Sequence, residues 1–263
     1  IIRYKYKLQP TPIDIDYKYL AFPYVPDYPK LTADSTNLKA HYKFDGNGND
    51  SSGYDKHLTP YNITYNSNDN VVGQSSVYSG TGYFEIENNG YFSPSTFSVS
   101  CWFKQFTVST TYQSIAMCRT AVSGFAKGWI IYVTPSNTLE IWTGNGSTWN
   151  STAVLSPVPL NQWIHISFTV TITSGSTIDF KAYIDSSEKT NTTYTYSPNT
   201  IQHLRIGTVS DPIPNYYVKN NSLIDDFRIY DKALSQEEIT QLNTISTSTS
   251  YTLSVPTAGT ECS

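Results

Sequence analysis

Two groups of oxygen donors stand out in the 263-residue chain. One is "FDGNGNDSSG", which sets Asp45, Asn47 and Asp50 in a run of turn-forming residues. The other is the Asp225–Asp226 pair in "LIDDFRIY". Calcium takes about six to eight oxygens from carboxylates, amides and backbone carbonyls, and these residues could supply part of such a set. The first stretch is not an EF-hand loop. Counted from Asp45, its sixth position is Asp50 instead of Gly and its twelfth is Lys56 instead of Glu. A calcium site therefore requires both segments, joined across the fold. The competing expectation is that Asp and Asn here build turns without metal, and that Asp225 caps backbone amides inside the protein.

Catalytic constellations are thin. Glycoside hydrolysis needs two carboxylates flanking the scissile bond. The one same-face candidate is Glu85-Ile86-Glu87, followed by Asn88, Asn89 and Gly90 with no further acid, and a solvent-facing strand is the simpler explanation. None of the four histidines, His41, His57, His165 and His203, sits in a nucleophile-elbow context. His165 reads as a packed or edge residue. No catalytic residue is assigned, and an enzyme is not expected.

Aromatic side chains offer a different chemistry. Tyr and Trp can stack on the apolar faces of sugars while their polar tips take hydrogen bonds. Trp142 and Trp149 flank the glycine-rich "TGNGST", and Tyr216 and Tyr217 lie in "PIPNYYVKNN". All four are candidate glycan contacts. A core position on "LEIW" is an equal expectation for Trp142.

The elements that must hold these residues read as strands. Phe97, Val99, Cys101 and Phe103 alternate along one face, as do Ile164, Ile166, Phe168 and Val170. Leu38, Ala40, Tyr42 and Phe44 repeat the pattern, and so do Phe180, Ala182 and Ile184. Turn clusters separate these runs, which predicts an all-β sandwich or jelly roll. One helix is expected, in "ALSQEEITQL": Ser235 and Glu238 form a capping box, and Leu234 and Ile239 a hydrophobic staple. Residues 1–34 read as an extended arm with five prolines, either strapped over its own domain or ordered against neighbouring protein chains. Residues 35–245 form the domain. Residues 246–263 read as a Ser/Thr-rich tail or linker, with a short strand around 251–255.

Composition excludes some partners. Net charge is −4 and charged residues are 14% of the chain, so there is no basic footprint for nucleic acid. No apolar run approaches the roughly 20 residues of a membrane span. Cys101, Cys118 and Cys262 are too few for a disulfide framework; Cys101 and Cys118 could face each other, but buried free thiols are the simpler state. Sequons at Asn49, Asn62, Asn145, Asn150, Asn191 and Asn220 are about as many as this composition gives by chance.

Several segments, in order, resemble the laminin G-like domains of the concanavalin A-like lectin/glucanase superfamily. They are "AHYKFDGNGNDSSGYDKHLT", "VVGQSSVYSGTGYFEI", "TFSVSCWFK", "NQWIHISFTV", "FKAYIDSSEKT", "LRIGTVSD" and "LIDDFRIYDKALSQEEI". Together they cover about residues 38–242. Departures are Ser186 in place of a hairpin glycine, and Asn221–Ser222 where a glycine usually precedes the closing strand. The resemblance implies a jelly-roll sandwich of two antiparallel sheets with one short helix near the C-terminal end of the domain. It implies Trp102 and Trp163 as packing residues. Glu85 and Glu87 lack the rest of the family's Glu-x-Asp-x-x-Glu catalytic signature. Such domains often bind calcium through separate loops, which favours the five-residue set above.

Two functions are expected from these readings. The first is a non-catalytic recognition module for carbohydrate or cell surfaces, extracellular or on a particle surface. The alternative is a structural or assembly subunit of a virus particle, phage fibre or surface filament whose arm binds neighbouring chains.

Overall fold

The computed structural model describes residues 37–120, 125–209 and 216–244. The expected arm, the tail and the strand at 251–255 lie outside the described residues, and the assembly expectation attached to the arm lies there with them.

The described chain begins with β1 (Leu38–Tyr42), β2 (Thr59–Tyr61), β3 (Thr64–Asn66), β4 (Ser75–Tyr78) and β5 (Tyr83–Ile86). Next come β6 (Phe97–Lys104), β7 (Gln113–Arg119), β8 (Lys127–Val133), β9 (Leu139–Asn145) and β10 (Trp149–Leu155). The long pair β11 (Ile164–Ser174) and β12 (Thr177–Ile184) is followed by β13 (Ser187–Thr195) and β14 (Leu204–Ile206). The series closes with β15 (Ser222–Tyr230) and α1 (Gln236–Thr244).

These strands make two sheets. The first runs β13-β12-β11-β6-β15-β4-β3, with β1 also paired to β15. The second runs β10-β9-β8-β7-β14-β5-β2. Every pairing between named strands is antiparallel. The alternating residues meet between the sheets as expected. Phe97, Val99, Cys101, Phe103, Ile164, Ile166, Phe168, Val170, Phe180, Ala182 and Ile184 share one core with Trp129, Ile131, Ile141, Leu204 and Ile206 of the second sheet. The sandwich forms because each sheet is apolar on the face it turns to the other.

β1 departs from its expected pattern. Ala40, Tyr42 and Phe44 enter the central core, but Leu38 packs with Tyr183, Tyr230, Leu234, Ile239 and Leu242 outside it. A register shift between Leu38 and Ala40 causes the switch, because one extra residue reverses the face a side chain occupies.

α1 carries the expected cap. The Glu238 amide donates to Ser235 Oγ at 3.2 Å, and the Ser235 amide donates to Glu238 Oε2 at 2.9 Å. Leu234 and Ile239 pack together in the outer cluster, which completes the staple. Cys101 and Cys118 are free and fully buried, and burial pushes the Cys118 thiol up to about 12. Among the described residues, no helix is long and apolar enough to cross a membrane.

Candidate functional site: an aromatic outer face and an acidic corner

Residues paired across antiparallel strands point to the same face. On the second sheet this rule traces a row. Thr59 faces Glu85, Glu85 faces Arg205, and Arg205 faces Met117. Met117 faces Ile130, Ile130 faces Trp142, and Trp142 faces Ser151. The residues between them on each strand, such as Ile131, Ile141 and Leu204, belong to the inner core, so the row lies on the outer face. Tyr61, Tyr83, Tyr132 and Trp149 are each two positions along from a row member and share that face.

The face divides into two groups of rings. In the first, Met117, Ile130, Tyr132 and Val209 form a buried floor. Tyr112, Trp142, Trp149 and Tyr216 pack on it and stay partly exposed. Tyr132 meets Trp142 edge-on at 5.4 Å between centroids, Tyr112 lies 5.2 Å from Tyr216, and Trp142 lies 6.4 Å from Trp149. Trp142 Nε1 donates to Glu140 Oε2 at 2.7 Å, which fixes the indole. The Arg119 guanidinium lies 5.6 Å from the Trp149 ring centroid, a cation–π arrangement. Burial, offset by Arg119, raises the Tyr132 hydroxyl to about 12, so it stays neutral at physiological pH.

The second group lies toward the β2 edge. Tyr61 stacks on Tyr83 at 4.6 Å with 12° between planes, and Tyr217 lies 6.2 Å from Tyr83. The Arg205 guanidinium sits 5.6 Å from the Tyr83 centroid and its Nε donates to Glu85 Oε2 at 2.9 Å. Glu85 is therefore half-buried in an ion pair, not simply solvent-facing; Glu87 is exposed.

The structure thus gathers Trp142, Trp149 and Tyr216, and sends Tyr217 to a separate group. Trp142 is neither a core residue nor free: it stands on the outer face over a buried floor. Sequence reasoning passed over Tyr112, Tyr132, Tyr61, Tyr83 and Arg205. For Tyr132 a signal existed. "GWIIYV" is apolar without alternation, which marks a strand covered on both faces.

The five residues expected to hold calcium are placed otherwise. Asp45 Oδ1 accepts the Gln74 amide at 2.8 Å. Gly73 makes that approach possible, since a Cβ there would lie 2.0 Å from Asp45 Oδ1. Asn47 Oδ1 accepts the Asn49 amide at 2.9 Å, a local turn. Asp50 accepts the His41, Ser52 and Lys56 amides and the Ser52 hydroxyl. Against burial, these bonds hold its carboxyl below the usual range.

A bulge in β15 separates the two closing acids. Asp225 pairs with Trp102 and Arg228 with Ser100, so one extra residue is taken up between them, and Asp226 has φ of 46°. Asp225 Oδ2 accepts the Val71 and Val72 amides at 2.7 and 3.0 Å, and its Oδ1 accepts the Asp226 amide at 2.7 Å. Burial nevertheless raises it to about 7. Asp226 Oδ1 meets His41 Nε2 at 2.6 Å and accepts from Arg228 Nε and a terminal guanidinium nitrogen at 3.2 and 3.1 Å. It is buried, yet Arg228 and His41 hold it well below the usual carboxylate range.

The arrangement does not fit a calcium ion. The four carboxylates already face hydrogen-bond donors, and a cation would have to displace backbone amides or Arg228. Among the described residues, no group of three or more His, Cys, Asp or Glu side chains could hold a metal. The opening stretch and the closing strand do cooperate, but through the segment around residues 69–74, which Asp45 and Asp225 both pin.

Other expectations need adjustment. Trp102 is buried on the outer face of the first sheet, 4.9 Å from the His165 ring, and not in the central core. Trp163 is half-buried, and its Nε1 donates to Asp69 Oδ1 at 2.9 Å. His165 is packed, as one expectation had it: its Nε2 meets Ser100 Oγ at 2.7 Å, and burial lowers its pKa to about 3.

A family model described as the concanavalin A-like lectin/glucanases superfamily matches residues 78–240, and the chain belongs to that family. No curated protein sequence matches it. Among solved structures it is similar to domain 4 of AbnA, a GH43 extracellular arabinanase from Geobacillus stearothermophilus, in complex with arabinotriose. That match has 24% identity and a TM-score of 0.62 over 80% of this chain and all (100%) of the other. It is also similar to the receptor-binding domain of botulinum neurotoxin type G, at 15% identity and TM-score 0.58. A third likeness is the binding domain of botulinum neurotoxin DC in complex with SialylT, at 16% identity and TM-score 0.57. This chain spans about half of each neurotoxin domain, 51% and 52%.

Proposed function

We propose that this domain is a non-catalytic carbohydrate-recognition module of an extracellular or particle-surface protein. The observation that carries the reading is the group of half-exposed rings on the outer face of the second sheet. A buried floor of Met117, Ile130 and Tyr132 holds Trp142 and Trp149 in fixed orientation, so little side-chain entropy is lost when a sugar stacks on them. Glu140 and Arg119 stand beside the rings as acceptor and donor for hydroxyls. The family, together with fold relatives solved with arabinotriose and SialylT, supports the same reading.

Glycan-array binding of the wild type and of Trp142→Ala/Trp149→Ala tests it. Binding that the double substitution abolishes is the expected result. An array on which the wild type binds nothing, with or without calcium, would sink the proposal.

A further inference from the structure

We infer that the Tyr61–Tyr83–Tyr217 group is a second, separate saccharide site, which takes neutral sugars with adjacent hydroxyls. The inference rests on reading the outer face as a glycan-binding surface.

Separation comes first. Trp142 stands on β9 and Tyr83 on β5, four strand steps apart. At about 4.8 Å per step this is about 19 Å, too far for one sugar ring to touch both. Between them lies Val209. Val209 packs on the floor of the first group, and its carbonyl accepts from an Arg205 guanidinium nitrogen at 3.0 Å. The neighbouring Tyr216 and Tyr217 then part: Tyr216 joins the tryptophan group and Tyr217 the tyrosine group.

The tyrosine group has the parts a sugar needs. Tyr61 is 38% exposed although its ring lies flat on Tyr83, so a ring face is held ready at the sheet edge. Its backing is built in. A Cβ at Gly82 would lie 2.7 Å from the Asn62 carbonyl, so only glycine lets the β2 end settle beside β5. Beside the rings, Arg205 offers N–H donors and Glu85 offers a carboxylate acceptor, fixed by their own 2.9 Å bond. Neighbouring hydroxyls of a sugar both donate and accept, which suits such a pair. The two charges cancel, so an anionic sugar gains nothing there over a neutral one.

The test is an array of neutral and acidic glycans, probed with the wild type, Trp142→Ala/Trp149→Ala, Tyr61→Ala/Tyr83→Ala and Glu85→Gln. The tyrosine variant should lose a set of neutral glycans at least tenfold while keeping those lost by the tryptophan variant. Glu85→Gln should lose the same neutral set with its rings intact, which keeps the test decisive if the tyrosine variant melts early. A wild-type profile for Glu85→Gln overturns the inference and leaves the proposed function standing. So does parallel loss of the same glycans in the tryptophan and tyrosine variants. No binding by the wild type removes both.

Discussion

The outer faces of the two sheets are built on the same plan and put to opposite uses. On the first sheet, cross-strand pairing sets His41, Arg228, Ser100, Ser167 and Tyr183 in a row. All five are buried: His41 and Arg228 bond Asp226, Ser100 and Ser167 face His165, and Tyr183 reaches Glu188. On the second sheet the corresponding row runs from Glu85 to Trp142, and its aromatic flanks stay partly open. On one outer face buried polar residues hold chain segments together, and on the other rings stand over an apolar floor. Residue type alone therefore says less about the acids than about the rings. The acids act as fasteners, whereas the aromatics present a surface.

That contrast can be broken at its most loaded point. Asp226→Asn leaves Arg228 without its buried counter-charge, and a loss of about 3–5 kcal/mol in urea unfolding is expected. A loss below about 1 kcal/mol would show that the acidic corner does not hold the fold. The opposite arm of the comparison predicts the reverse signature. Trp142→Ala/Trp149→Ala should weaken glycan binding more than about tenfold and cost less stability than Asp226→Asn, because both rings are only partly buried.

A finer test uses pH. Asp225, raised to about 7, keeps its proton in the native state over a range where the unfolded chain has lost it. Its contribution is therefore full below about pH 4 and is lost as pH rises toward 7. Asp50 and Asp226 are lowered, so theirs is present above about pH 4 and lost on further acidification. Stability should peak at mildly acidic pH, and Asp225→Asn should flatten only the neutral side, as read by melting midpoints across pH. The smallest effect expected is none. EDTA or added calcium should leave the midpoint unchanged, because a native-state ligand would have to raise it.

Much of the fold was legible because period-two alternation and the capping box are local signals. "TFSVSCWFK" and "NQWIHISFTV" announced both their strands and their inward faces. The site was legible only in part. Trp142, Trp149 and Tyr216 could be named by type, but nothing local says that β8 supplies their floor. Tyr61 and Tyr83 lie in short runs whose partnership depends on β2 pairing with β5. The acids' partners were hidden for a similar reason. Whether a carboxylate meets a cation or an amide is decided by a segment about 150 residues away, as the Val72–Asp225 contact shows with its separation of 153.

β15 carries a consequence for how the molecule is made. It is the last strand among the described residues, yet it pairs with β6, β4 and β1 in the interior of the first sheet. A ribosome must therefore deliver nearly the whole domain before that sheet can close. Until then β6 and β4 each present an unpaired edge, the arrangement most open to pairing with a neighbour. Such distant pairings also slow folding. Chains cut short before residue 222 should be recovered as aggregate, and production of the intact domain should depend on keeping nascent chains apart.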